Sequence, residues 1–154
     1  TFDIKPIKEL IHRYTSGVVI DPFANKNKIA SITNDLDTQY DTNYHLDALD
    51  FLKMFENGSV DTILYDPPYS PRQVSECYKK LNMTVNMQTT QASYWSKQKV
   101  EISRIIKKGG HAITCSWNSG GVGKKYGFEI VEILLVPHGG WHNDTIIVVE
   151  RKVN

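Results

Sequence analysis

At 154 residues the chain reads as one domain, long enough for a single sizeable core and too short for two. Its hydrophobic fraction of 40% and charged fraction of 23% are ordinary for a globular protein, and no apolar run approaches the roughly 20 residues that span a bilayer. A net charge of +1 gives little support for a polyanionic partner, and two cysteines, Cys77 and Cys115, make no disulfide framework, so a reducing cytoplasm is the expected compartment.

The first nine residues alternate charge and apolar side chains and do not read as a signal peptide. Ile4, Ile7, Leu10, Ile11 and Tyr14 fall at helical spacing, with Pro6 suited to the first turn, and Thr15-Ser16-Gly17 closes that helix. Val18-Val19-Ile20 is a short apolar strand that stops at Asp21-Pro22. Further strands are expected over 30–36 and 44–46, then a helix over 50–56 ended by Asn57-Gly58. The apolar run VDTILY, 60–65, is a strand that stops at Asp66-Pro67-Pro68-Tyr69.

Residues 81–92 are polar and weakly patterned, and the whole stretch 70–93 is expected to be a mobile substrate loop. A helix over 94–107 capped by Gly109-Gly110 follows. The chain ends with strands over 111–117, 128–136 and 144–151, the last two joined through His138-Gly139-Gly140. Strands alternating with helices, then two strands with no room for a helix between them, predict an α/β domain. Its sheet is mostly parallel, with one antiparallel strand near the C-terminus. Ligands of such sheets bind outside the carboxyl ends of the strands, where Asp21, Asp66 and Asp35 converge.

Two successive prolines cannot continue a central strand, so Asp66-Pro67-Pro68-Tyr69 is a stiff extended turn. It holds a carboxylate, backbone carbonyls and an aromatic ring together, an array suited to an exocyclic amine: the acceptors take its N–H bonds and the ring stacks on the base. A plain strand stop, with Tyr69 packing and Asp66 capping, is the structural alternative.

These residues resemble a known family, the S-adenosylmethionine-dependent DNA amino-methyltransferases of the N6-adenine type. Asp66-Pro67-Pro68-Tyr69 is similar to the family's catalytic motif, and Val18 to Phe23 to its cofactor segment. Lys5-Pro6 with Leu10-Ile11 resembles its cofactor-holding helix, and Gly139-Gly140-Trp141-His142-Asn143-Asp144-Thr145 a segment of phage and bacterial members. The resemblance covers most of the chain. It implies one Rossmann-like class I methyltransferase domain over 1–154, a seven-stranded sheet, S-adenosylmethionine as cofactor and DNA as partner.

By the same resemblance, Asp66, Pro67, Pro68 and Tyr69 are catalytic, and Lys5, Pro6, Asp21, Pro22, Phe23, Asp35, Asp47 and Ala48 bind the cofactor. Asp35 would meet the ribose, with Asp37 the competing candidate, and Asp47-Ala48 would meet the adenine. One departure concerns the cofactor loop, where Ala24-Asn25-Lys26-Asn27-Lys28 stands in place of glycines; asparagine tolerates the left-handed conformation.

Gly120-Gly121-Val122-Gly123-Lys124-Lys125 looks like a phosphate loop, but Asn118 stands at the first glycine position and Lys125 replaces Ser/Thr, so no nucleotidase is expected. His138 and His142 have no third ligand at recognisable spacing and read as turn residues, with no metal expected. Lysines and arginines cluster locally, as at Lys79/Lys80 and Lys124/Lys125, but read more readily as solvated surface. An RNA amino-methyltransferase acting on guanine N2 or adenine N6, or a non-catalytic partner subunit of the same fold, remain open. No separate target-recognition domain is expected, so a second copy or a partner protein would supply that surface.

Overall fold

The computed structural model describes residues 1–81 and 93–154. In chain order they form α1 (Lys5–Tyr14), β1 (Val19–Asp21), β2 (Ile32–Thr33), α2 (Ala48–Lys53), β3 (Val60–Tyr65), α3 (Pro71–Lys80), α4 (Ser93–Ile105), β4 (Ile106–Ser116), a 3-10 turn at Lys124–Tyr126, β5 (Phe128–Val136) and β6 (Thr145–Lys152). The sheet order is β2-β1-β3-β4-β6-β5. Strands β1 to β4 pair in parallel, and β6 is antiparallel to both β4 and β5. The expected single antiparallel strand near the C-terminus is therefore β6.

Successive residues of β3 point to opposite faces, and both faces are covered. Leu64 packs with Ile7, Leu10 and Ile11 of α1, Ile113 of β4 and Ile147 of β6. Ile63 and Tyr65 pack with Phe51 and Leu52 of α2 and with Ile102 and Ile105 of α4. All of these side chains are fully buried or nearly so, and each is worth about 1.5–3 kcal/mol of transfer free energy. This two-sided core fixes β3 at the centre of the sheet and so fixes where Asp66 emerges.

The structure corrects five expectations. Six strands are present among the described residues, not seven. The strand expected over 44–46 is reduced to one parallel bridge, Asn34 to Tyr44. Side chains take over its ladder: Asn34 Nδ2 donates to the Leu46 carbonyl at 2.9 Å, Leu46 N donates to Asn34 Oδ1 at 2.9 Å, and Thr33 N donates to Asn43 Oδ1 at 2.9 Å. Within the expected loop 70–93, residues 71–80 are the helix α3, with the Ser70 hydroxyl accepting from Gln73 N at its start. The rest of that loop, 82–92, lies outside the described residues.

Gly109 and Gly110 do not cap a helix. α4 ends at Ile105, β4 begins at the next residue, and both glycines lie inside β4 near the register shift between Val60 and Thr62 of β3. The helix expected over 50–56 starts earlier, at Ala48, because Asp47 caps it: Asp47 Oδ1 accepts from Leu49 N at 3.1 Å. Among the described residues, no helix is long and apolar enough to cross a membrane.

Candidate active site

A cavity of about 710 Å³ opens at the carboxyl ends of β1, β2 and β3. It is within the range of small-molecule and cofactor sites. Its wall brings together Pro22, Phe23, Asp35, Asp47, Ala48 and all four residues from Asp66 to Tyr69. Lys5, Pro6 and Asp21 do not line it. Lys5 and Pro6 are exposed on the first turn of α1, and the cavity is bordered instead by the preceding residues, Phe2 and Asp3.

Asp21 is fully buried behind the wall. Its Oδ1 accepts from Phe23 N at 3.1 Å and so shapes the turn that follows β1, while Oδ2 has no partner. Burial, with like charge from Asp66 and Asp35 adding to it, pushes its carboxyl well above the usual range.

The turn after β1 forms without glycine because Asn25 adopts φ +53°, the left-handed conformation asparagine tolerates. Its backbone N–H donates to Asp35 Oδ2 at 2.9 Å, and Asp37 N donates to Asp35 Oδ1 at 3.0 Å. Asp35 thus ties the loop after β1 to the loop after β2. Burial raises its carboxyl pKa against these two bonds. Asp37 also borders the cavity, but Gln39 takes its carboxylate through backbone and side-chain hydrogen bonds, which lower its pKa.

The turn after β3 is held from several directions. The Tyr69 hydroxyl donates to Asp66 Oδ1 at 2.9 Å, and Tyr69 N donates to Gln73 Oε1 at 2.5 Å. Trp95 Nε1 donates to the Pro68 carbonyl at 3.0 Å. The Tyr69 ring meets Trp117 edge-on, with centroids 5.3 Å apart. Burial raises the Asp66 carboxyl pKa, and the hydrogen bond from Tyr69 opposes that. Burial likewise pushes the Tyr69 phenol upward, so it stays a donor.

The sequence reading missed Tyr78, Tyr94 and Trp95. Tyr78 of α3 donates to Asp47 Oδ2, and Tyr94 of α4 lines the cavity beside it. α3 therefore forms a wall of the site, tied at one end to the turn after β3 and at the other to Asp47.

No family model matches the chain, and no curated protein matches it. Solved structures do. TrmN from Thermus thermophilus superposes with a TM-score of 0.60 at 17% identity, over 97% of this chain and 48% of that one. A 1,6-didemethyltoxoflavin-N1-methyltransferase from Burkholderia thailandensis, solved with its ligand and S-adenosylhomocysteine, gives 0.62 at 11% identity, over 97% of this chain and 78% of that one. An S-adenosylmethionine-dependent methyltransferase from Archaeoglobus fulgidus gives 0.62 at 11% identity, over 96% and 94%. This chain has the fold of the S-adenosylmethionine-dependent methyltransferases.

The chain spans about half the length of TrmN, 48%. Within this methyltransferase fold the glycine-rich connector after β4 has a structural use. Val122 N and Gly123 N donate to the buried Glu150 carboxylate at 2.6 and 2.9 Å. Gly121 sits at φ +57°, and a Cβ there would lie 2.2 Å from Glu150 Oε1. The amides that would cradle a phosphate are spent on an internal carboxylate. His138 Nε2 is hydrogen-bonded to Thr145 Oγ1 at 2.6 Å.

Proposed function

We propose that this chain transfers a methyl group from S-adenosylmethionine to an exocyclic amino group of a nucleobase, foremost adenine N6 in DNA. The observation that carries this reading is the shared cavity, in which the Asp66–Tyr69 turn faces the same space as Asp35 and Asp47.

The residues suit the cofactor chemically. Asp35 and Asp47 offer carboxylate oxygens to ribose hydroxyls and an adenine amino group. Phe23, Leu46 and Ala48 offer apolar wall to the adenine ring, and the left-handed Asn25 keeps the loop after β1 clear of that space. Bound there, S-adenosylmethionine would supply a sulfonium methyl for in-line transfer.

Asp66 and the Pro67 carbonyl accept hydrogen bonds from the two amine N–H groups, which concentrates electron density on the attacking nitrogen. The Pro68 carbonyl is already taken by Trp95, so Pro67 is the carbonyl with that role. Tyr69 stacks on the base once its hydroxyl leaves Asp66. The methylated amine is a cation acidic enough to lose its proton without a strong base. The protein contributes positioning and preorganised acceptors. A base inside a duplex cannot reach the cavity, so the target is flipped out or already unpaired.

The test is incubation with methyl-labelled cofactor and separate DNA and RNA pools, followed by nucleoside analysis. N6-methyladenine from DNA is expected. Label in guanine N2 or adenine N6 of RNA alone moves the assignment to RNA. Cofactor binding with no transfer to either pool overturns the reading and leaves a non-catalytic subunit.

A further inference from the structure

The hairpin joining β5 to β6 carries one of the segments singled out in the sequence, and the proposed transfer gives it no role. Because β6 is antiparallel to both neighbours, β5 runs with β3 and β4. The hairpin closes at the Val136–Thr145 pair, on the sheet edge from which Asp66 emerges. Strand register sets how far away it stands. Tyr65 lies opposite Thr114, Thr114 opposite Val148 and Ser116 opposite Ile146. With neighbouring strands about 4.8 Å apart, the β6 arm rises roughly 10 Å to the side of the Asp66 turn. That is the side away from Asp35, since β1 and β2 lie across β3.

The tip, 137–144, carries one large aromatic side chain, Trp141, with a relative exposure of 103%. Gly139 and Gly140 precede it at φ +68° and +58°, and His142 N donates to the Gly139 carbonyl at 3.3 Å. Two consecutive left-handed residues make a turn that side chains with a Cβ rarely adopt, and it keeps the indole off the body of the protein. The His138–Thr145 bond fastens the base of the tip. Next to Trp141 in the tip stand glycine, histidine and asparagine, a polar collar, while the exposed apolar side chains of this hairpin, Ile133 and Leu135 among them, lie down the β5 arm and not at the tip. A lone flat ring on such a collar suits a ligand with a flat face of its own. Between it and Asp66 stands Trp117, edge-on to Tyr69 and itself 42% exposed.

Resting on the nucleobase reading above, we propose that Trp141 is a second nucleic-acid contact. It stacks on a nucleotide flanking the target and holds the strand while the target base occupies the cavity. Aromatic stacking tolerates any base, because every base has a π-face. A contact of this kind therefore anchors the strand without reading its sequence.

The test uses the full chain, W141A and W141F, with fluorescently labelled single-stranded DNA and RNA oligonucleotides of mixed sequence. W141A should weaken strand binding about tenfold, the scale of one lost base stack, while W141F keeps most of the affinity. Cofactor affinity by calorimetry and melting temperature should not change in either variant. The DNA and RNA arms tell which strand is bound. Unchanged strand affinity in W141A overturns the proposal, as does a change confined to the sedimentation of the protein alone, which would make Trp141 a protein contact. If the parent methylates a nucleic acid while W141A binds it equally well, this inference fails by itself. If the parent neither binds nor methylates DNA or RNA, the nucleobase reading falls and takes this one with it.

Discussion

The Tyr69 hydroxyl donates to Asp66 Oδ1 at 2.9 Å, so the ring that would stack on a base is turned back on the carboxylate that would hold its amine. On the proposed reading, base entry breaks this bond. Tyr69→Phe removes it and keeps the ring. The bond lowers the Asp66 pKa against the rise caused by burial, so its loss moves that pKa up. If ionised Asp66 is the active form, the acidic limb of the pH–rate profile shifts to higher pH in Tyr69→Phe. An unshifted limb would separate Asp66 from the rate.

Asp66→Ala should bind cofactor as the parent does and lose most methyl transfer. The loss of one oriented acceptor is on the order of 2–4 kcal/mol of barrier, by comparison with oxyanion-hole donors. Single-turnover rates at saturating cofactor measure it. Transfer within threefold of the parent would show that Asp66 has another role.

Asp35 and Asp37 both border the cavity, and each carboxylate accepts two hydrogen bonds, so the two compete for the ribose. Asp35 is the one that links the loops after β1 and β2, and the role is expected of it. Asp35→Ala should weaken S-adenosylmethionine by about tenfold to a hundredfold, the range for a hydrogen bond to a charged group. Asp37→Ala should change affinity less than threefold. Calorimetry on both variants decides, and the reverse order would transfer the role to Asp37.

The sequence made β1, β3 and their terminal aspartates legible because proline ends a strand abruptly: Asp21-Pro22 and Asp66-Pro67 both mark true strand ends. It did not reveal that Asp21 faces inward, since burial depends on the neighbouring strands. α3 was missed although Ser70-Pro71 is a sound helix start. Val74, Cys77, Tyr78 and Leu81 stand at helical spacing, but that stripe is short and runs directly into the polar stretch after Leu81, which hides the helix. The third strand failed because Asn34 and Asn43 side chains, invisible to periodicity, compete for its backbone. Gly109-Gly110 carried a helix-end signal that here falls in a strand beside a register shift.

Glu150 sets a prediction about stability. Its burial raises the carboxyl pKa, so between the unfolded and folded values the native state binds more proton than the unfolded one. This contribution is present below the unfolded pKa and is lost as pH rises through the folded pKa. Glu150→Ala removes that slope and strands the amides of Val122 and Gly123, at about 1–3 kcal/mol for each left unpaired. Gly121→Ala meets the same carboxylate from the other side and should cost at least about 1 kcal/mol through its left-handed backbone alone. Denaturant melts across pH 4–8 check both. A Glu150→Ala protein as stable as the parent would mean that solvent satisfies those amides.

The last prediction concerns sequence specificity. Sequence is read by side chains that reach base edges, and the polar stretch 70–93 carries five amides that could pair with adenine, Gln73, Asn82, Asn86, Gln88 and Gln91. Its first candidate, Gln73, is already committed: Oε1 accepts from Tyr69 N at 2.5 Å and braces the Asp66 turn. Asn82, Asn86, Gln88 and Gln91 lie outside the described residues. α3 itself is spent on the cavity wall, through Tyr78 to Asp47. A stacking contact at Trp141 would add affinity without discrimination. The chain alone should therefore methylate at short or relaxed sites, with sharper recognition supplied by a second copy or another protein. Mapping of modified bases after a reaction with this chain alone is the measurement. A defined site of six or more base pairs, read by the monomer, would defeat the prediction. It would also direct attention to residues 82–92, whose amides could still meet base edges.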